Sequence, residues 1–312
     1  MRFFQHFMLH CYPHHPLDNE KIWTHEVPCL SQTNEFLMHA ILGMAACDLM
    51  RSDPTLLAFA MSHRVKAIRA IKKSLAELPK QRGTTSEHAN ALVATCFALT
   101  FQSVMFEDGM VEYMTFIRGI LVIGAQMWIK GIKPIFVNLV DQDSHALLGP
   151  RMAGLPLIQT EWADDAIEAI AGLRHLCRDA LEIEYHALIA DMAGKLRTSS
   201  WEAYQVLQKH YGWWIQLPHQ KFQRVIDLAN QTMLLLASHW IALKQIMAAI
   251  TNAEVECREK APSQREGGVD VGIGRWLIYL NGQVDHEHLI YNRWPSWVED
   301  QLKRDPGFFG RK

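Results

Sequence analysis

Asp164 and Asp165, with Glu168 one turn later, put three carboxylates at helical spacing, an arrangement that can hold magnesium against a diphosphate. In enzymes with such a site, the class I terpene cyclases, a second Asn/Asp, Ser/Thr and Glu set stands on another helix. After Asn230 the positions at i+4 and i+8 are Leu234 and Ser238, which do not supply it. Acidic residues at a helix start are favoured by the macrodipole in any case. Sixteen histidines make pairs such as His6 with His10, His14 with His15 and His286 with His288 expected by chance. Two neighbours without a third ligand at suitable spacing give no zinc site. Asp141, Asp143 and His145 cluster in a stretch that reads as a solvated loop. There is no Gly-x-Ser-x-Gly elbow, no phosphate-binding loop and no glycine pattern following a strand. The sequence therefore predicts no metal and no cofactor.

The stronger chemical signal is apolar. The chain has ten Trp and fourteen Met, and Met233, Leu236, His239, Trp240 and Leu243 recur at the spacing of one helical face. Met and Trp adapt to flat, irregular molecules, and pockets for sterols or terpenoids are lined by such groups with a few placed polar atoms. Phe97, Thr100, Phe101, Val104 and Met105 share a side of another helix, where Thr100 is positioned to orient a ligand hydroxyl or to bond its own i−4 carbonyl. Trp213 and Trp276 complete the expected lining. The ordinary alternative for each residue is core packing, since a face this apolar must be buried.

These side chains need long helices to carry them. Apolar spacing predicts helices at about 2–11, 19–27, 33–51, 54–78, 86–106, 109–129, 161–193, 200–216, 219–229, 231–258 and 270–293. All twelve prolines fall between these segments or in their first turns. No segment alternates as a strand does, so the expected fold is all-α, a single large multi-helix domain over 1–312 with an internal apolar pocket. Residues 130–160, with three prolines and three glycines, read as a long loop suited to a lid. Residues 260–268 read as a flexible tether and 295–312 as a tail.

Net charge is −2, with 31 Lys plus Arg against 33 Asp plus Glu, so composition offers no phosphate-binding face. A chain of this length buries roughly 75% of its unfolded surface, enough to enclose a cavity. The apolar run Ile117–Ile129 is shorter than the ~20 residues of a membrane span. Met1–Leu9 lacks the basic and cleavage regions of a signal peptide. Six scattered cysteines fit a reducing compartment, cytoplasmic or nuclear.

Residues 35–50 of the stretch "NEFLMHAILGMAACDLM", with Asn34 in the N-cap place, resemble the helix that opens the regulatory domain of fungal six-cysteine zinc-cluster transcription factors, in the branch of the sterol uptake control regulators. "MRFFQHFMLHCY" at the start, "IWTHEVPCLSQTNEFL" from Ile22, "AMSHRVKAIRAIKKSLAEL" from Ala60, "NALVATCFALTFQSVM" from Asn90 and "QTMLLLASHWIALKQIM" from Gln231 follow in that family's order. The resemblance implies that helix 86–106 lies close to helix 231–258, with an apolar ligand held between these and helix 270–293. It also implies a helical surface open to self-association, hence a homodimer. Such factors bind DNA through six closely spaced cysteines holding two zinc ions, whereas Cys11, Cys29, Cys47, Cys96, Cys177 and Cys257 stand singly. This chain alone is therefore expected not to bind DNA.

Two functions follow from the resemblance. One is a binding module for an apolar polycyclic molecule of sterol or terpenoid type. The other is a metal- and cofactor-independent cyclase or pericyclase, such as a Diels-Alderase, on a terpenoid or polyketide. Holding a substrate in a near-attack conformer can supply much of such an acceleration. In that reading His239 or His39 acts as acid or hydrogen-bond donor, with Trp240 and Trp213 as shaping walls.

Overall fold

A computed structural model of the chain describes residues 2–12, 20–77, 85–136, 144–258 and 271–310; every regular element among them is helical and none is a strand. The described residues group into two compact units, residues 1–141 and 142–312.

In the first unit, helix α1 (Arg2–His6) continues into a π turn (Phe7–Cys11), and a second π turn (Ile22–Glu26) leads into α2 (Val27–Thr33). Then come α3 (Glu35–Leu49), a 3₁₀ turn at Pro54–Leu56, α4 (Leu57–Glu77), α5 (Ser86–Ser103) and α6 (Met110–Ile129). Asn34 ends α2 and starts α3 through its carbonyl, which accepts from the Leu37 and Met38 amides at 3.0 and 3.1 Å. Its side chain does not cap: the amide donates to the Leu30 carbonyl at 2.8 Å, and Oδ1 meets His88 Nδ1 at 3.2 Å. Both sides of α3 are buried, since α4 and α5 pack on it. At Gly43 a Cβ would sit 3.0 Å from Gln102 Nε2 and 3.3 Å from the Arg64 backbone nitrogen, so a larger residue needs its neighbours to shift by a few tenths of an ångström.

Arg64, 2% exposed, anchors the contact of α4, α5 and α6. Its guanidinium donates to Gln102 Oε1 and Ser103 Oγ, each at 2.9 Å, and to Glu112 at the start of α6. It also lies over the Phe106 ring, 5.0 Å from the centroid. A buried guanidinium is tolerable because its donors are met. The turn from α5 to α6 is equally tight. A Cβ at Gly109 would fall 1.8 Å from the Ser103 carbonyl oxygen.

Helix α6 is long and apolar enough, by length and composition, to cross a membrane. Here it buries Met110, Met114, Ile120, Ile123 and Met127 against α5 and meets Arg64 through Glu112, while Trp128 and Ile129 are exposed.

The second unit contains α7 (Ser144–Ala153), α8 (Thr160–Gly172), α9 (Ala180–Leu196), α10 (Ser200–Gln216), α11 (His219–Val225), α12 (Gln231–Ile246), α13 (Ala248–Arg258), α14 (Val271–Gly282) and α15 (Arg293–Arg304). Several expectations change here. The stretch 130–160 is not all loop: α7 lies within it, with Pro150 inside the helix and Leu148 and Met152 buried. Gly149 and Pro150 are accommodated inside α7, the proline at the expense of one backbone hydrogen bond. The expected tail 295–312 is largely α15 and a 3₁₀ turn at Phe308–Gly310, held by buried Trp294, Val298 and Phe309. Helix 161–193 is two helices, because Asp179 starts α9 with a capping box: its carboxylate accepts from the Leu181 and Glu182 amides, and Glu182 accepts back from the Asp179 amide. Helix 231–258 divides at Met247, and helix 270–293 stops at Gly282 before a 3₁₀ turn at Leu289–Asn292. The tether 260–268, Asp141, Asp143, His14 and His15 lie outside the described residues.

The centre of this unit is α12. Thirteen of its sixteen residues are buried, so it is enclosed all round rather than on one stripe. It packs on α9, α14 and α15. Glu182 sets its position against α9: besides closing the α9 capping box, its Oε1 accepts from the side-chain amide of Asn230 at 3.4 Å, and Asn230 caps α12 through the Met233 amide at 3.2 Å.

Candidate functional site

The residues expected to line one pocket divide between the units. Phe97, Thr100, Phe101 and Met105 belong to the first. Phe97 is in its core, with ring centroids 6.2 Å from Trp23 and 5.1 Å from Phe136. Thr100 donates to the Cys96 carbonyl at 2.8 Å, its own i−4 partner, and so offers no free hydroxyl proton. Phe101 packs on the same core. Met105 lies beyond the end of α5 and accepts a long contact from Arg51 at 3.6 Å. His39 meets His63, Nδ1 to Nδ1 at 3.0 Å, and Glu35 at 3.5 Å. A cavity of about 20 Å³ opens between α5 and α6, lined by Ala89, Leu92, Ile123, Gln126, Met127, Lys130 and Ile132. It has room for about one water.

Trp213, Met233, Leu236, His239, Trp240 and Trp276 belong to the second unit, and all but Trp213 are at most 1% exposed. Here the structure adds a residue the sequence reading passed over, His210 on α10. Its imidazole is fully buried among aromatic rings: Trp240 at 4.6 Å between centroids, Tyr185 at 5.3 Å and nearly parallel, and Trp213 at 6.1 Å. Neither ring nitrogen of His210 has a hydrogen-bond partner among the described residues, and the same holds for the indole N–H groups of Trp213 and Trp240. Burial pushes the His210 pKa down to about 3 and drives the Tyr185 phenol upward, so both are neutral at neutral pH.

His239 and Trp240 are adjacent on α12 and therefore point roughly 100° apart. Trp240 faces His210, whereas the His239 ring lies 5.6 Å from Trp294 on α15. The His239 Nδ1–H donates to the Leu235 carbonyl at 2.7 Å. Burial lowers its pKa to about 4, so at neutral pH Nε2 carries a lone pair, unpartnered among the described residues. His239 thus presents an acceptor, not the acid or donor expected from sequence.

Asp164, for which the sequence offers no metal-site partner set, forms a surface ion pair with Arg197 Nε at 3.2 Å. His288 pairs with Asp285 at 2.7 Å.

The α10–α12 cluster thus gathers Trp, Tyr and His faces in mutual contact, with indole N–H groups and imidazole nitrogens unpartnered among the described residues. Buried polar atoms of this kind nearly always have partners.

Comparison with known proteins finds two similarities. Residues 1–125 match the family model of the fungal specific transcription factor domain. A stretch of 112 residues is 28% identical to Sterol uptake control protein 2 of Saccharomyces cerevisiae, covering 35% of this chain and 12% of that protein. Residues 1–125 are thus similar to a fungal transcription factor domain, and part of the chain is similar to a sterol uptake regulator of which it spans about an eighth.

Proposed function

We propose that this chain is a ligand-sensing regulatory domain that holds an apolar polycyclic molecule of sterol or terpenoid type, and that the aromatic cluster around His210 receives it. The observation that carries this reading is the group of unpartnered polar atoms on His210, Trp213 and Trp240, buried among ring faces. Each such group costs about 1–3 kcal/mol when unmet, and a ligand hydroxyl or carbonyl among them would recover that cost. The relative's name, a sterol uptake control protein, supports the ligand class. A net charge of −2 supports the companion proposal that residues 1–312 alone do not retain DNA. The compartment that fits this role is nuclear or cytoplasmic.

The test is ligand-dependent thermal stabilisation of the full chain across a panel of sterols, terpenoids and polyketides. A ligand at a hundredfold excess over Kd raises stability by about 2.7 kcal/mol. Trp240→Phe, which keeps an aromatic face but removes the N–H, is expected to reduce that shift while leaving the unliganded protein folded. Met233→Leu nearly conserves volume and is expected to alter ligand preference only. A panel that shifts nothing overturns the reading.

A further inference from the structure

His6, Cys11 and Asp48 bring an imidazole, a thiol and a carboxylate together in the first unit, with their donor atoms all within 4.8 Å of one another. In a regular α-helix residues five apart lie roughly 140° around the axis. The π turn at Phe7–Cys11 widens the helix locally and carries Cys11 back toward the side of His6. Asp48 arrives from the last turn of α3, 42 residues along the chain, and its Oδ2 lies 2.7 Å from His6 Nε2. Imidazole, thiolate and carboxylate are the donors of borderline divalent ions, whereas calcium and magnesium favour oxygen alone.

We propose that His6, Cys11 and Asp48 form a site for a divalent transition-metal ion of the zinc type, with three protein ligands and a fourth position open. Ligand bonds of about 2.0–2.3 Å set tetrahedral donors about 3.3–3.8 Å apart. The His6–Asp48 contact therefore opens by about an ångström at most, and Cys11 closes by a similar amount. Exposure fits an ion with one open position: Cys11 is 4% exposed, while the side chains of His6 and Asp48 are 18% and 27% exposed. Bound metal would clip the opening helix onto the end of α3. In sequence His6 has only His10 as a neighbouring ligand type; the other two donors meet it through the π turn and tertiary structure.

Titration of the full chain with Co²⁺ tests the site, because a cysteine ligand gives a thiolate-to-cobalt charge-transfer band that histidine and carboxylate sites lack. The expected result is one equivalent of Co²⁺ with that band, displaced by Zn²⁺, absent in Cys11→Ser and retained in Cys29→Ser, whose thiol is exposed. Asp48→Asn and His6→Gln, checked for retained helix by circular dichroism, are each expected to weaken Co²⁺ binding at least about tenfold, the smallest loss seen even for outer-shell changes. No thiolate band in the wild-type chain, a band that survives in Cys11→Ser, or unchanged affinity in folded His6→Gln overturns the proposal.

Discussion

The rings of His210 on α10 and Trp240 on α12 lie 4.6 Å apart between centroids, inclined at 38°, and α12 is tied to α9 by a single carboxylate. That carboxylate, Glu182, closes the cap of α9 beneath Tyr185 and meets Asn230 at the cap of α12. Cap chemistry thus links the helices that carry Tyr185 and Trp240.

Acid should loosen this cluster before it affects most carboxylates. His210 and His239 have folded pKa values of about 3 and about 4, against about 6.5 unfolded. Between these limits the unfolded chain binds protons that the folded chain refuses, so stability falls as pH falls from about 6.5. Each histidine contributes a slope of about 1.4 kcal/mol per pH unit. Chemical denaturation at pH 7 and pH 5 is expected to show a loss of about 4 kcal/mol from the pair, and His210→Phe is expected to remove about half of it.

Glu112→Ala should destabilise the first unit by leaving Arg64 a buried charge without its anionic partner. A fully enclosed pair broken in this way costs about 3–5 kcal/mol. Glu112 is half-exposed, which discounts the effect to about 2 kcal/mol. Arg64→Met combined with Glu112→Ala removes the charge as well and is expected to recover part of the loss in thermal unfolding.

Two glycines separate close approach from chain entropy. Gly109→Ala forces a methyl group into the Ser103 carbonyl and is expected to cost at least about 2 kcal/mol. Gly124→Ala, inside α6 with nothing within 4 Å of the new atom, should gain up to about 1 kcal/mol from helix propensity. Melting temperatures that move in the same direction would contradict the tight α5–α6 turn.

Duplex DNA should not be retained. Fluorescence anisotropy at physiological salt is expected to show no specific complex with residues 1–312, because binding driven by counterion release needs clustered Lys or Arg.

The all-helical fold was legible because apolar spacing and proline placement both report on local backbone. Helix ends were less so: α7 survives Pro150, and α9 begins at a capping box that a continuous apolar pattern concealed. For the site, Trp240 and Trp213 stood out by residue type, and Thr100 took the bland role that a helical threonine usually takes. His210 did not stand out, because its character comes from Tyr185 on α9 and Trp240 on α12. Asp48 stayed hidden for the same reason. Neither lies near its partner in sequence, and neither pattern has a local period.

Photoaffinity labelling with a diazirine-bearing sterol, followed by peptide mapping, tests the central claim most directly. The account predicts saturable labelling, competed by unmodified ligand, on peptides of Ser200–Gln216 and Gln231–Ile246, and its loss in His210→Phe/Trp240→Phe. Saturable labelling confined to α5 and α6, or none that competes, would contradict it.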